Sequence, residues 1–184
     1  MLLNTIVGMV LAAAPLEATE PPLELILDAP LGLLSRSAAS RARAELFAAA
    51  GPRIEVAWGP APLTLAATLE AIATLPDRRG TQVVSFSEQQ TLAALGARAG
   101  YRLRSRGFLL EPFAGLRAAG GWRWTSMRVE DQESSSGRPG LGLGYGGGAI
   151  AGYRALRLRL DLGGLWTGWA HYYTATLALG YAIP

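Results

Sequence analysis

From about residue 107 onward, apolar side chains recur at every second position, with Gly, Thr, Arg or Asp between many of them. The clearest runs are Phe108, Leu110, Ala114 and Leu116; Leu141, Leu143 and Tyr145; Leu156, Leu158, Leu160 and Leu162; and Ala175, Leu177, Leu179, Tyr181 and Ile183. Successive side chains of a strand point to opposite faces, so each run predicts a β-strand with one greasy face and one polar or empty face. Strands are expected over 107–118, 122–129, 141–150, 154–162, 165–172 and 174–183, five or six in an antiparallel sheet. Gly120-Gly121 reads as a turn, and the polar stretch from Glu130 to Gly140 as an exposed loop. Pro112 in mid-strand implies a sheet edge or a bulge, because proline has no N–H to give to a ladder.

The first 99 residues read differently. Strands are expected at Leu23–Leu27, Ile54–Trp58 and Thr81–Phe86, and each is followed by a stretch with helical spacing: 33–50, 64–75 and about 88–99. In the first of these, Leu34, Ala38, Ala42 and Leu46 fall on one helical face. Three strand-helix repeats predict a small parallel α/β unit. Such sheets bind ligands beyond the carboxyl ends of their strands, which here would be near Asp28, Gly59 and Ser85 to Ser87. Those positions are equally ordinary turn and cap residues. The overall expectation is an α+β chain: a small α/β domain over 19–99, and over 100–184 an antiparallel sheet forming a small or partial barrel.

Composition supports a division near Gly100, since 17 of the 23 glycines and 12 of the 15 aromatics lie from there on. Upstream, residues 2–14 are mostly apolar and Ala12-Ala13-Ala14 offers a small-residue cleavage site, so 1–18 read as an export signal. The basic residues are all arginine, and the net charge is only +3. Arg102, Arg104 and Arg106 alternate beside Tyr101, but the strand pattern accounts for them and no nucleic-acid partner is expected. The absence of cysteine excludes disulfides, thiolate catalysis and Cys-based metal sites.

On the non-greasy faces of the predicted strands fall Glu111, Arg117, Arg123, Arg157, Arg159 and Asp161. Such charges are costly against lipid or a dry core, whereas inside a narrow polar barrel they can pair. Trp122, Trp124, Trp166, Trp169, Tyr172, Tyr173 and Tyr181 cluster near segment ends, where interfacial girdles lie in membrane barrels. With these features the chain resembles the small bacterial outer-membrane β-barrel proteins. The likeness rests on residues 107–117, 140–145, 156–162 and the terminal alternation at 177–183. It implies outer-membrane lipid as the main partner and an interior filled by Arg–carboxylate pairs. Single-chain barrels begin at eight strands. A five- or six-stranded sheet would therefore need strands from a second copy, as a homo-oligomer completing the barrel, or strands from the first half, unless it is a curved soluble sheet.

Other motifs carry less. Gly142-Leu-Gly-Tyr-Gly-Gly147 spells a dinucleotide fingerprint, but it lacks the strand before it and the helix after it. Gly140, Gly144, Gly148 and Gly152 form a GxxxG ladder in a stretch too short to span a membrane as a helix. His171, the one histidine, sits among aromatics with no nucleophile in view. Glu130, Asp131 and Glu133 read as a solvated loop. The expectation is a cell-envelope protein in the outer membrane with a periplasmic N-terminal domain. Its role would be structural, interactive or passive transport, with no catalysis, cofactor or metal. The alternative is a soluble periplasmic ligand-binding protein whose curved sheet packs on the α/β unit.

Overall fold

The computed structural model describes residues 23–36, 45–81 and 83–184. The expected signal over 1–18 lies outside the described residues. All the regular structure described is β: β1 Leu23–Arg36, β2 Glu45–Ala50, β3 Arg53–Trp58, β4 Leu63–Thr74, β5 Asp77–Gly80, β6 Val84–Tyr101, β7 Leu103–Ser105, β8 Phe108–Val129, β9 Gln132–Tyr153, β10 Leu156–Thr167 and β11 His171–Ile183.

These strands make eight antiparallel staves among the described residues, because β2 with β3, β4 with β5 and β6 with β7 each continue one line of chain. Each stave pairs with its sequence neighbour, and β1 pairs with β11 from Leu25 opposite Ile183 to Arg36 opposite Tyr172. The last stave thus hydrogen-bonds to the first, and one chain closes the barrel without strands from a second copy. Closure leaves no edge along the barrel wall.

The expected α+β fold is therefore corrected. The stretches expected as helices at 64–75 and 88–99 are β4 and part of β6, paired to each other from Leu63 opposite Tyr101 to Ala73 opposite Thr91. The described parts of 33–50 are the end of β1 and all of β2. The first half supplies four of the eight staves rather than a separate α/β sheet, and the five or six strands of the second half are really four long ones. The reason is local. In β4 the outward residues are Leu63, Leu65, Ala67, Leu69, Ala71 and Ala73, between inward Thr64, Thr68, Glu70 and Thr74. Alanine and leucine are strong helix formers, and Leu65, Leu69 and Ile72 also fit a helical stripe. Cross-strand pairing overrides that preference.

Two further details differ from the sequence reading. Gly120-Gly121 is no turn, since β8 runs unbroken through it. The stretch 132–140 is the first part of β9, and the turn is only Glu130-Asp131. Pro112 lies in β8 opposite the break between β6 and β7, where the ladder passes from Gly100–Phe113 to Leu103–Leu110. That break is where a residue without an N–H is tolerated.

The barrel has a basal rim, carrying Leu23, the turns at 59–62, 106–107 and 154–155, and Ile183. The apical rim lies opposite. There β8 and β9 outrun the wall: β10 pairs with β9 only from Tyr153 back to Gly142, so residues 132–141 pair with β8 alone. A sheet of β6, β8 and β9 therefore projects beyond the barrel, with β5 on its other margin.

Candidate functional site

Parity along each stave sorts the side chains. Outward come Leu27, Leu31 and Leu33 of β1, Leu65 and Leu69 of β4, Leu116 of β8, Leu158, Leu160 and Leu162 of β10, and Leu177 and Leu179 of β11, all exposed. Inward come the charges. Glu24, Arg53, Glu55, Glu70, Glu88, Arg98, Arg102, Glu111, Arg157 and Arg159 are all buried. Water-soluble proteins place these classes the other way round.

The basal lumen holds one unbroken chain of ion pairs. Arg157 donates to Glu24, which also takes Arg102 at 2.7 Å. Arg102 donates to Glu111 at 2.7 Å, and Glu111 takes Arg98 as well. Arg98 binds Glu55 in bidentate fashion, at 2.5 and 2.9 Å. Glu55 then accepts from Arg159 at 2.6 Å, and Arg159 from its other side reaches Asp161 at 2.9 Å. Asp161 takes Arg53 at 3.1 Å, and Arg53 ends the chain on Asp28 at 2.7 Å. Five arginines (157, 102, 98, 159, 53) thus alternate with five carboxylates (24, 111, 55, 161, 28), so the chain is neutral. Phe113 lies against it, with the guanidinium carbons of Arg159 and Arg98 at 4.4 and 5.2 Å from its ring centre. A buried charge without a partner costs several kcal/mol, and here each is met by opposite charge through hydrogen bonds.

Above this network Arg117 spans the lumen, donating to Thr174 at 3.1 Å and lying 3.5 Å from Glu70. Next comes an apolar collar of Leu34, Phe47, Ala49, Leu92, Ala94, Ala119, Leu165 and Tyr172, with Ile72, Trp169 and Ala170 packed against it. At the apical rim the lumen is charged again. Glu88 accepts from Arg36 at 2.7 Å and from Gln90, while Arg36 also pairs with Glu45. Arg123 approaches Glu88 at 3.8 Å, and Arg79 joins Glu45 at 2.7 Å and Asp77. Arg79, in the projecting part, has its basicity raised by hydrogen bonds to Asp77 and Glu45. Between these layers a cavity of about 60 Å³ is bounded by Arg53, Glu70, Arg98, Arg117 and Asp161, room for a few waters. The lumen is thus sealed twice, by ion pairs and by hydrocarbon.

The glycine ladder finds its reason here. Gly140, Gly144, Gly148 and Gly152 all face inward from β9, and each is crossed by a large neighbour. A Cβ added there would stand 1.9 Å from the Trp169 ring, 2.7 Å from Arg117, 3.0 Å from the Phe113 ring and 3.0 Å from Arg157, respectively. What resembles a helix-packing motif is the floor on which the luminal side chains lie.

The six charges expected in the interior are distributed over both layers. Glu111, Arg157, Arg159 and Asp161 belong to the basal chain, Arg117 spans the middle and Arg123 is apical. Of the aromatics, Trp122, Trp124, Trp166 and Tyr173 are exposed on the outer face toward the apical side, and Tyr181 toward the basal one. Trp122 and Trp124 stack at 5.7 Å, and His171 lies between Trp166 and Tyr173 at 5.1 and 4.7 Å. Tyr172 instead points inward, fully buried, with its hydroxyl accepting from Gln90 at 2.8 Å; Trp169 packs on the collar from the β10–β11 turn. Glu24, Asp28, Arg53, Glu55, Glu70, Glu88, Arg98 and Arg102 were missed as luminal residues. Their signal was alternation with apolar neighbours; for Glu70, Glu88 and Arg98 the helical reading hid it, while Glu24 and Glu55 stood on expected strands that were assigned to a separate α/β sheet. Glu130, Asp131 and Glu133 lie at the tip of the projecting hairpin, and among the described residues no group of three His, Asp or Glu side chains could hold a metal.

No family profile matches the chain, and no curated protein matches it. Solved structures do match in fold. Ail, the attachment invasion locus protein of Yersinia pestis, superposes with a TM-score of 0.61 at 14% identity, over 87% of this chain and 98% of that one. Neisserial surface protein A gives 0.50 at 17% identity, over 89% and 97%. The fold is that of the small bacterial outer-membrane β-barrels.

Proposed function

We propose that this protein is a non-catalytic barrel that spans the bacterial outer membrane, closed to solute flow, and that its projecting apical sheet presents an interaction surface. The observation that carries the reading is the inverted polarity of the barrel, with leucines outside on all eight staves and, inside, ion pairs supplied by six of them while β9 and β11 give glycines, threonines and alanines. The 12 residues of β10, rising about 3.3 Å each and tilted about 40°, cover about 30 Å, the thickness of a bilayer core. Trp58, Tyr101, Phe108, Tyr153 and Tyr181 lie outward near the basal rim, opposite the apical Trp122, Trp124, Trp166 and Tyr173. Two such belts are what a barrel embedded to that depth requires. The doubly sealed lumen argues against passive transport. On the projecting sheet Phe86 pairs with Met127 and Val84 with Val129, all four exposed, an apolar patch outside the span that favours contact with other molecules.

Membrane fractionation followed by gel mobility with and without boiling tests the first part: the chain is expected in the membrane fraction and to migrate faster when unheated. Recovery in the soluble fraction would refute the reading and favour a soluble binding protein. Planar-bilayer recording tests the second part, with steady conductance steps as the result that would restore transport.

A further inference from the structure

We propose that the basal rim carries a binding site for the phosphate of an anionic phospholipid headgroup, built from Arg106 and Arg154. The proposal rests on the membrane-spanning reading above. Both arginines are exposed at hairpin turns, and the backbone N–H of Arg154 donates to the carbonyl of Gly107 at 3.1 Å, tying the two turns side by side. Beneath them Phe108 and Tyr153 are cross-strand partners whose rings stack at 4.8 Å on the outer face. The Arg154 guanidinium carbon sits 5.3 Å from the centre of the Tyr153 ring, which holds the charge at the level of the basal aromatic belt. That is the depth at which lipid phosphates lie.

The backbone adds an independent observation. Arg106 and Arg154 have φ of 47° and 54°, a left-handed conformation that glycine, asparagine or aspartate adopts with less strain. Keeping an arginine at both positions runs against local preference, and an outlier of this kind points to a use for the side chain. Among the described residues the third non-glycine residue with positive φ is Glu130, at the apical tip, and it bears the opposite charge. The exposed carboxylates among the described residues share this placement, although exposed arginines (Arg79, Arg128 and Arg138) also lie at the apical end. The exposed carboxylates, Glu130, Asp131 and Glu133, are all apical, while the nearest basal ones, Glu24 and Glu111, are buried in ion pairs. No exposed side-chain carboxylate among the described residues therefore competes with a lipid phosphate at the basal rim. A phosphodiester there can accept from both guanidiniums while its acyl chains run along Phe108 and Tyr153.

The test uses the full chain refolded in zwitterionic detergent and offered equal amounts of phosphatidylglycerol and phosphatidylcholine, with the lipid retained per barrel read by native mass spectrometry. The wild type is expected to retain phosphatidylglycerol by roughly tenfold over phosphatidylcholine. The pair Arg106→Gln with Arg154→Gln brings the ratio to parity, and Arg106→Lys with Arg154→Lys keeps most of it. Should the Gln pair fold poorly, Arg154→Gly relieves the strained φ and is expected to fold at least as well as wild type while losing most of the preference. A folded, heat-modifiable wild type with no preference, or a preference that survives the Gln pair or Arg154→Gly, overturns the site alone. A chain that neither folds in detergent nor enters vesicles of either lipid overturns the membrane reading together with it.

Discussion

At the basal end of the lumen, five arginines and five carboxylates fill the cross-section, each paired with its neighbour by opposite charge and most of them through hydrogen bonds as well. A few residues higher, Leu34, Phe47, Leu92 and Leu165 fill it with hydrocarbon, and the Tyr172 hydroxyl is the collar's link to the apical polar layer. Both arrangements exclude water from a tube of the same width, but they fail differently. An ion-pair chain is stable as a set and costly to interrupt, because the partner of a deleted group stays buried and charged. A hydrocarbon collar loses only the contacts of the atoms removed, plus the cavity they leave. Glycines serve both layers. Arginines lying flat across β9 need Gly144 and Gly152 beneath them, and at the collar Trp169 lies over Gly140 and Leu92 over Gly121 in the same way.

The largest effect is expected for Glu55→Ala. This change takes one of two carboxylate partners from each of Arg98 and Arg159, leaving only Glu111 and Asp161 to hold them at a site where Glu55 is 1% exposed, and should cost about 3–5 kcal/mol in urea unfolding of the detergent-folded chain. Phe47→Ala removes the ring that packs edge-on against Tyr172 at 6.5 Å and lies under Arg36; a loss of about 3 kcal/mol is expected. Because Glu55 and Phe47 belong to different layers, the double variant should be additive to within about 0.5 kcal/mol. A larger coupling energy would mean that the two seals act as one unit and would break the comparison. Gly140→Ala drives a methyl into the Trp169 ring and is expected to cost about 1–3 kcal/mol, read as a lowered temperature for the loss of gel-mobility shift. The smallest effect belongs to Arg79→Ala. Its pairs with Glu45 and Asp77 are part-exposed, so less than about 1 kcal/mol is at stake, and it should vanish in high salt while the Glu55 effect persists.

Alternation alone specified the strand character and facing of much of the second half, though not its turns or strand count. A period of two with Leu on one parity and Gly, Arg or Asp on the other has few solutions, and the stretches 156–162 and 174–183 are strands facing as that pattern requires. Alternation also put Glu111, Arg157, Arg159 and Asp161 on the face opposite the leucines. In the first half the same parity was present, with Glu70 and Arg98 set between Leu and Ala. Yet Ala-rich outer positions satisfy a helical stripe as readily as a strand, and local propensity favoured the helix. Only the pairing of β4 with β6 and of β1 with β11 decided between them. Those contacts join residues up to about 158 positions apart, such as Leu25 and Ile183, and no local pattern encodes that distance.

The identity of each ion pair was likewise a tertiary matter. The sequence determines that arginines and carboxylates share the interior, because parity is a property of one strand. Which arginine meets which carboxylate depends on barrel closure and stagger, which set Arg98 of β6 beside Glu55 of β3 and Glu111 of β8. Tyr172 makes the same point. Its neighbours marked it as an interfacial aromatic, but one step of register separates it from Tyr173, and that step puts its ring in the sealed core instead of on the outer wall.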